Sequence, residues 1–549
     1  MKKHIISGFF VRVLCIVAVI FSLHSCTDKF IEYNTDKTKL MSVGTKELAG
    51  LISSSQISGS NWLSTDNYNR MSRTVTNHLS GYMCIIDITY EQNMLNLSYH
   101  DNGFVGMYSN AIPPLQSIFD MTKDNGAYQN EYAIALIWKV FLLHQVTDLF
   151  GPIPYTDAGS GKQYTTYESQ KDVYYLMFGD LKKAISILTA TVASNSAANA
   201  YGVGDMIFNG KVINWLKFAN TLRLRLAMRI SNIDATKAKT EAEAAASGIT
   251  MDLNTDDAFL DVSQWHTMGN GLARVNPWYS SLMSASMESF LKGYADPRMP
   301  QYFSPVNESA VYKDDQLAQI PAELRANDGG YHGMANGYKT TIENSFSYCY
   351  SCLNTTRWSA ANIKLLALPI MYSAETSFLK AEGALKGWNM GGGTAQSYYE
   401  NGITVSMKQW GIASDAIQTY ITSTKTPIAP NDYGYNHAAA SDIPVKFGSS
   451  AGKQLEQIIT QKWLANFPIS VEAFADYRRT RLPKIYPKVF SANANIDLTK
   501  GMIITRLPFI TSEYNTQPKE VAKAVTLLGN GAKDLENVPL WWDTNKNGN

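Results

Sequence analysis

Apolar residues recur at helical spacing in one long segment after another, and this periodicity commits the chain to a largely α-helical body. From Glu131 to Phe150 the apolar positions Ala133, Leu136, Ile137, Val140 and Phe141 follow i, i+3, i+4 spacing. Gly151-Pro152-Ile153-Pro154 ends that pattern. Ser169, with Asp172 three residues on, has the form of a helix cap for the next segment. That segment's apolar face is Val173, Leu176, Met177, Leu181, Ala184, Ile185 and Leu188. Val212 to Ser231 predicts a third helix, with Trp215, Phe218, Ala219, Leu222 and Leu226 on one side, and Lys237 to Ser247 a fourth. The pattern returns over Leu365–Gly387, Tyr398–Trp410 and Leu455–Arg479, the last broken near Pro468. Successive helix pairs joined by short turns predict a mostly α fold of tetratricopeptide-like helical pairs, although no strict repeat can be read.

The N-terminus is basic, Met1-Lys2-Lys3-His4, and an apolar run follows from Val13 to Leu23. That run is too short to span a bilayer and matches a signal-peptide core. Leu23-His24-Ser25-Cys26 then has the lipobox pattern, with His24 where a small residue is usual. We read 1–25 as a lipoprotein signal peptide, Cys26 as the lipidated residue and 26–45 as a polar tether. No other run of 18 apolar residues is read as a membrane span. Loss of Lys2, Lys3 and Arg12 with the signal turns the net charge from +1 to −2. Without a basic block, the chain lacks the footprint of a nucleic-acid binder. Cys84, Cys349 and Cys352 remain, an odd number, and Cys349-Tyr350-Ser351-Cys352 has no second pair to complete a zinc site.

Scaffold segments are placed at about 46–248 and 365–480, and a loop-rich face at about 249–364 and 481–549. The middle region is rich in Gly, Pro, Asn, Tyr and Trp, and loops of this kind carry function because their side chains stay exposed. Charged residues make up only 17% of the chain and aromatics 11%, with 31 Tyr and 11 Trp. Flat rings cover the C–H faces of a sugar, and amides or Arg take its hydroxyls. The stretches that combine the two are Asn61-Trp62 with Asp66-Asn67-Tyr68, Tyr90–Asp101, Gln264-Trp265-His266, Asn276-Pro277-Trp278-Tyr279, Tyr348-Cys349-Tyr350 and Arg357-Trp358. Trp62, Tyr99, Trp265, Trp278 and Trp358 are the candidate ligand-binding residues, against the blander reading that each packs.

Asp252-Leu253-Asn254-Thr255-Asp256-Asp257 begins like a calcium loop, but Asp257 stands at the sixth position and Ser263 at the twelfth. A turn is the favoured reading; no cofactor is expected, a structural calcium ion being the one candidate. No nucleophile elbow, HExxH, P-loop or dinucleotide fingerprint is present, so no enzyme is expected. A glycoside hydrolase using two carboxylates is the catalytic alternative.

Seven segments in one order then resemble the SusD/RagB nutrient-uptake family, closest to its SusD-like 2 branch. They are VTDLFGPIPYTDA (146–158), FNGKVINWLKFANTLRLRLAMRIS (208–231), Asp296-Pro297-Arg298, AETSFLKAEGALKGW (374–388), QKWLANFPISVEAFADYRRTRLP (461–483), Arg506-Leu507-Pro508-Phe509 and Trp541-Trp542-Asp543. Arg481 stands where the family pattern has Gly. The resemblance implies a SusD-like α/α superhelix over 46–549, with four tetratricopeptide-type pairs behind an irregular face. It implies a surface-exposed outer-membrane lipoprotein that lids a SusC-like TonB-dependent transporter barrel. It also implies an oligosaccharide cargo, with peptide as the alternative because a related branch binds peptides. Ligand aromatics are expected after the first helix and in the middle region. Trp215, Phe218 and Trp388 are expected in the core, and Arg223, Arg225 and Arg229 to pair with acids such as Glu375 or Glu382.

Overall fold

The structure, a computed structural model, describes residues 44–60, 79–85, 93–95, 103–261, 263, 269–278, 281–306, 330–337, 350–363, 365–430, 437–529, 531, 533–545 and 547. Cys26, Trp62, Tyr99, Trp265 and Cys349 lie outside the described residues, as do the expected signal peptide and nearly all of the tether. The chain divides into Met1–Leu48 and Ala49–Asn549, and the second unit holds the architecture described below.

Helices dominate. The longer ones are α1 (Thr45–Gly59), α2 (Ile112–Thr122), α3 (Gln129–Phe150), α4 (Gln170–Ser194), α5 (Val212–Arg229), α6 (Ala235–Ala246), α7 (Ala285–Gly293), α8 (Ser373–Leu385), α9 (Ala395–Gln409), α10 (Ser414–Ile421), α11 (Ala451–Ala465), α12 (Ser470–Thr480) and α13 (Pro518–Thr526). Helix α3 packs on α4, α5 on α6 and α8 on α9, and α4–α5 and α8–α11 contacts join the pairs. Two short antiparallel ladders complete the frame: β1 (Met83–Ile85) with β3 (Ser281–Met283), and β2 (Ala258–Leu260) with β4 (Leu368–Met371).

The helix starts follow the capping chemistry. Ser169 Oγ accepts from Asp172 N at 3.2 Å, and Asp234 and Ser284 do the same for α6 and α7. Thr394 and Ser397 bond each other's backbone N–H reciprocally at the start of α9. Segment Gly126–Phe150 is long and apolar enough to cross a membrane, unlike the sequence expectation, but 89% of its apolar window is buried inside the protein. It is apolar on every side because α2, α4 and α5 surround it. Where α8 meets α9, a Cβ on Gly402 would come within 2.7 Å of the Phe378 ring, so glycine there permits the close approach.

Three expectations need correction. The segment read as helix from Leu365 begins only at Ser373, because Leu368–Met371 pairs with β2. Pro369 resists a helix, and a short wholly buried apolar run has no period to separate strand from helix. The irregular C-terminal region contains α13, with Pro518 in its first turn. Trp388 is half-buried rather than core, following Gly387 at φ +74°, with the Lys386 ammonium 6.0 Å from its ring centre. Trp215 and Phe218 are fully buried.

A buried ion network ties the helix pairs together. Arg225 forks onto Glu375 at 2.6 and 2.8 Å, which the sequence anticipated. Arg223 instead bonds Glu241 on α6. Arg229 meets Glu472, Asp148 and Asp476 at 2.5, 3.2 and 3.3 Å. Lys462 of α11 reaches Asp476, Glu472 and Glu375 at 2.7, 3.1 and 3.4 Å. Glu382 takes Arg479 at 2.6 Å. Burial works to raise the Glu472 carboxyl, yet Arg229, Lys462 and Arg225 together hold it well below its usual range. Removing one member would strand a buried charge, at a cost of about 3–5 kcal/mol.

Candidate functional site

Beside this scaffold a cleft of about 160 Å³ opens between β4 and the end of α9. Its walls are aromatic: Phe259, Trp358, Tyr372 and Trp410, with Asn270, Arg357 and Gln409 between the rings. Leu365, 74% exposed, stands among the lining residues.

Local sequence holds each wall. Asn354 Oδ1 accepts from Arg357 N at 2.7 Å, and Trp358 N donates to Asn354 O at 2.9 Å, closing a tight turn. The Asn276 amide donates to the carbonyls of Leu353 and Trp358, both at 3.1 Å. Trp358 lies 6.2 Å from Trp410 and 6.0 Å from Phe467, centre to centre. Trp410 ends α9, its N–H donating to Met407 O at 3.1 Å, and Tyr302 packs edge-on against it at 4.7 Å. Asn270 N donates to Ile363 O at 2.7 Å, and its side chain caps the short helix Gly271–Val275. Asp257 accepts from Ser373 N and Oγ at 2.7 and 2.6 Å, fixing β2 against the start of α8.

Two polar atoms on lining residues stand out. Gln409 Oε1 and Trp410 Nε1 are buried and have no hydrogen-bond partner among the described residues. An orphaned buried acceptor and donor each cost about 1–3 kcal/mol, and a ligand or water that bonds them recovers it. Burial pushes the Tyr372 phenol well above its ordinary range, so it stays a neutral hydroxyl.

The sequence candidates are distributed unevenly about this cleft. Trp358 lines it, but it is 4% exposed and packs into the core instead of standing free on a loop. Trp278 ends a 3-10 turn that begins at Asn276, the residue bonded to the Trp358 carbonyl; its ring is outside the description. Trp265 belongs to 264–268, between Phe259 and Asn270, which both line the cleft. Trp62 follows Ser60, which lines a smaller hollow of about 30 Å³ that shares Pro369 with the cleft. Tyr99 is not placed. Trp410, Gln409 and Tyr372 were missed as site residues, since Trp410 reads as the last turn of an amphipathic helix.

Other hollows differ in chemistry. One of about 270 Å³ is walled mainly by Leu79, Tyr477, Ile485, Tyr486, Ile503 and Ile504. An open trough of about 750 Å³ carries Phe509, Tyr514, Asn493, Asn495, Asp534 and Glu536. Its acids are already engaged, Asp534 by Arg506 at 2.5 Å and Tyr514 at 3.0 Å, Glu536 by Asn493 and Asn495. The Asp252–Asp257 segment is a turn in which Asp256 accepts from the N–H groups of Asp252 and Leu253 and pairs with Lys217 at 2.6 Å. No group of three His, Cys, Asp or Glu side chains arranged to hold a metal occurs among the described residues.

The family described as "SusD-like: Susd and RagB outer membrane lipoprotein" matches residues 32–543. The chain belongs to the SusD/RagB family. Solved SusD-like structures agree over nearly their whole length. A SusD-like protein from Bacteroides thetaiotaomicron VPI-5482 is 30% identical, with TM-score 0.77, over 91% of this chain and 99% of that one. A chitin-binding SusD homologue from Flavobacterium johnsoniae is 32% identical, with TM-score 0.77, over 92% and 99%. A SusD homologue from Bacteroides vulgatus ATCC 8482 is 28% identical, with TM-score 0.79, over 90% and 98%. No curated protein sequence matches. Membership groups the chain with outer-membrane lipoproteins of mostly helical, tetratricopeptide-containing fold. The segments that carry the SusD resemblance are the ones that supply Asp148, Arg225, Arg229, Glu375, Glu382, Lys462, Asp476 and Arg479 to the ion network.

Proposed function

We propose that this SusD-family protein is a surface-anchored binder that captures an oligosaccharide in the Trp358–Trp410 cleft and hands it, chemically intact, to a SusC-like TonB-dependent barrel. Lipid on Cys26 holds it at the outer membrane. The observation that carries the reading is a ring-lined cleft whose lining residues hold an orphaned donor and an orphaned acceptor. A sugar offers the complement: C–H faces for the rings, hydroxyls for Trp410 Nε1 and Gln409 Oε1. The walls are fixed in advance by Asn276 and Asn354, so little ordering cost falls on binding. A 32% identical homologue that binds chitin supports a glycan cargo. The cleft is small beside the roughly 300–1,000 Å³ of a whole ligand site, so it suits one sugar ring of the oligosaccharide.

Titration of intrinsic Trp fluorescence with an oligosaccharide panel, including chitin oligomers, tests this. Saturable binding with sugar of unchanged mass is expected. Trp265→Ala and Trp278→Ala should each weaken binding about tenfold, ~1.4 kcal/mol, without lowering the melting temperature. Equal binding in both variants removes them from the site, and shortened sugar replaces capture by hydrolysis.

A further inference from the structure

We propose that the sugar held in this cleft is anionic, bearing a uronate carboxylate or a sulfate ester, and that Arg357 selects for it. The inference rests on the glycan reading above and narrows it to a substrate class.

The arginines of this protein follow a pattern. Among the described residues, each buried or half-buried arginine other than Arg357 gives at least part of its guanidinium to fixed acceptors, Arg478 alone of them keeping an unpartnered Nη2. Arg223 bonds Glu241, Arg225 Glu375, Arg298 Asp296, Arg479 Glu382, Arg481 Asp543 and Arg506 Asp534. Arg229 meets three acids, and Arg478 donates to the carbonyls of Asp148 and Thr505. Arg357 breaks the pattern. Among the described residues it makes no ion pair, and its guanidinium has no hydrogen-bond acceptor. It lies against the rings instead, 4.7 Å from the centre of Trp410 and 6.0 Å from that of Trp358.

Stacking uses the face of a guanidinium and leaves its N–H edge available, in the fork geometry that matches carboxylate and sulfate oxygens. The surroundings reinforce this. None of the described residues lining the cleft is acidic, and Arg357 is the one charged group among them. Asp257, two residues from Phe259, is committed to Ser373. Trp410 Nε1 is an unused donor, and Tyr372 is a neutral hydroxyl able to donate. Donors therefore outnumber the single orphaned acceptor, Gln409 Oε1, as an anion requires.

Calorimetric titration of the full chain in detergent against matched probes decides the matter. One pair is a galacturonate trimer and its carboxyl-reduced form, and the other a sulfated galactan oligomer and its desulfated form. Neutral chitin oligomers are run beside them. We expect at least one charged probe to bind tenfold or more tighter than its neutral match, the ratio shrinking as salt is raised. Which pair responds tells carboxylate from sulfate. Arg357→Gln should collapse the ratio toward one and Arg357→Lys should keep part of it, both with a wild-type melting temperature. Equal binding of charged and neutral partners, or a ratio that survives Arg357→Gln, overturns the selectivity while leaving sugar capture standing. Binding of no sugar, or tighter binding of an acidic peptide such as hexaglutamate, overturns both.

Discussion

His144 sits inside the ion network as a neutral ring. Its Nδ1 lies 2.6 Å from Phe141 O, which fixes the proton on that nitrogen, and Nε2 faces Arg225 at 3.5 Å. Burial, then the neighbouring Arg225 charge, push its pKa down to about 3. The unfolded chain binds the proton near its ordinary 6.5 while the folded chain refuses it until about 3, so stability falls as pH drops through that window. The slope is at most about 1.4 kcal/mol per pH unit. The depressed carboxyls of Glu472, Asp476 and Glu382 act in the same direction, but only from the ordinary carboxylate range downward. Between pH 6.5 and 5 the urea midpoint should therefore fall more steeply for the wild-type chain than for His144→Gln; parallel curves would refute it. Single residues of this network were half legible. Arg225 and Glu375 could be matched because both lie on strongly periodic helices. The partners of Arg229 could not, since Glu472 and Asp476 become neighbours only once α12 docks. In the cleft, Arg357-Trp358 was visible as an aromatic-polar pair, but Trp410 looked like one more apolar position on a helix.

At the scale of elements, α12 shows a local conflict. It ends on Arg481 at φ +56°, the left-handed conformation that glycine adopts freely, and this is the position where the family pattern has Gly. The side chain is put to use: Arg481 donates to Asp543 Oδ2 at 3.2 Å, tying the helix end to the C-terminal Trp541-Trp542-Asp543 segment. Glycine would relieve the strain and lose the tie, whereas alanine would lose the tie and keep the strain. Arg481→Gly should thus be more stable than Arg481→Ala by about 1 kcal/mol in denaturant unfolding. The reverse order would show that the backbone there is not strained. Elements were legible where apolar positions recurred at helical spacing over a long segment, as in α3, α4, α5 and α9, and Ser169 marked the start of α4. They failed where a segment was short and had no period. β4 is four buried residues containing Pro369, and only its pairing with β2 makes it a strand.

For the molecule as a whole, scaffold and site speak through different residues. The segments that carry the family resemblance supply charges that neutralise one another between helices, so they speak for the fold and say little about cargo. The cleft is assembled from β2, the Asn354–Trp358 turn, β4 and the end of α9, pieces more than 100 residues apart between Phe259 and Trp410, and no spacing rule joins them. Its preorganised rings and unpaired polar groups are what a bound sugar would meet. The direct measurement is a crystal structure of the chain with the oligosaccharide that binds best in titration. A sugar ring is expected in the cleft that Trp358, Trp410 and Arg357 border, with its oxygens within hydrogen-bond distance of Trp410 Nε1 and Gln409 Oε1. Sugar seated instead in the 270 Å³ cavity beside Tyr477 or along the Phe509–Tyr514 trough, with this cleft empty, would contradict it.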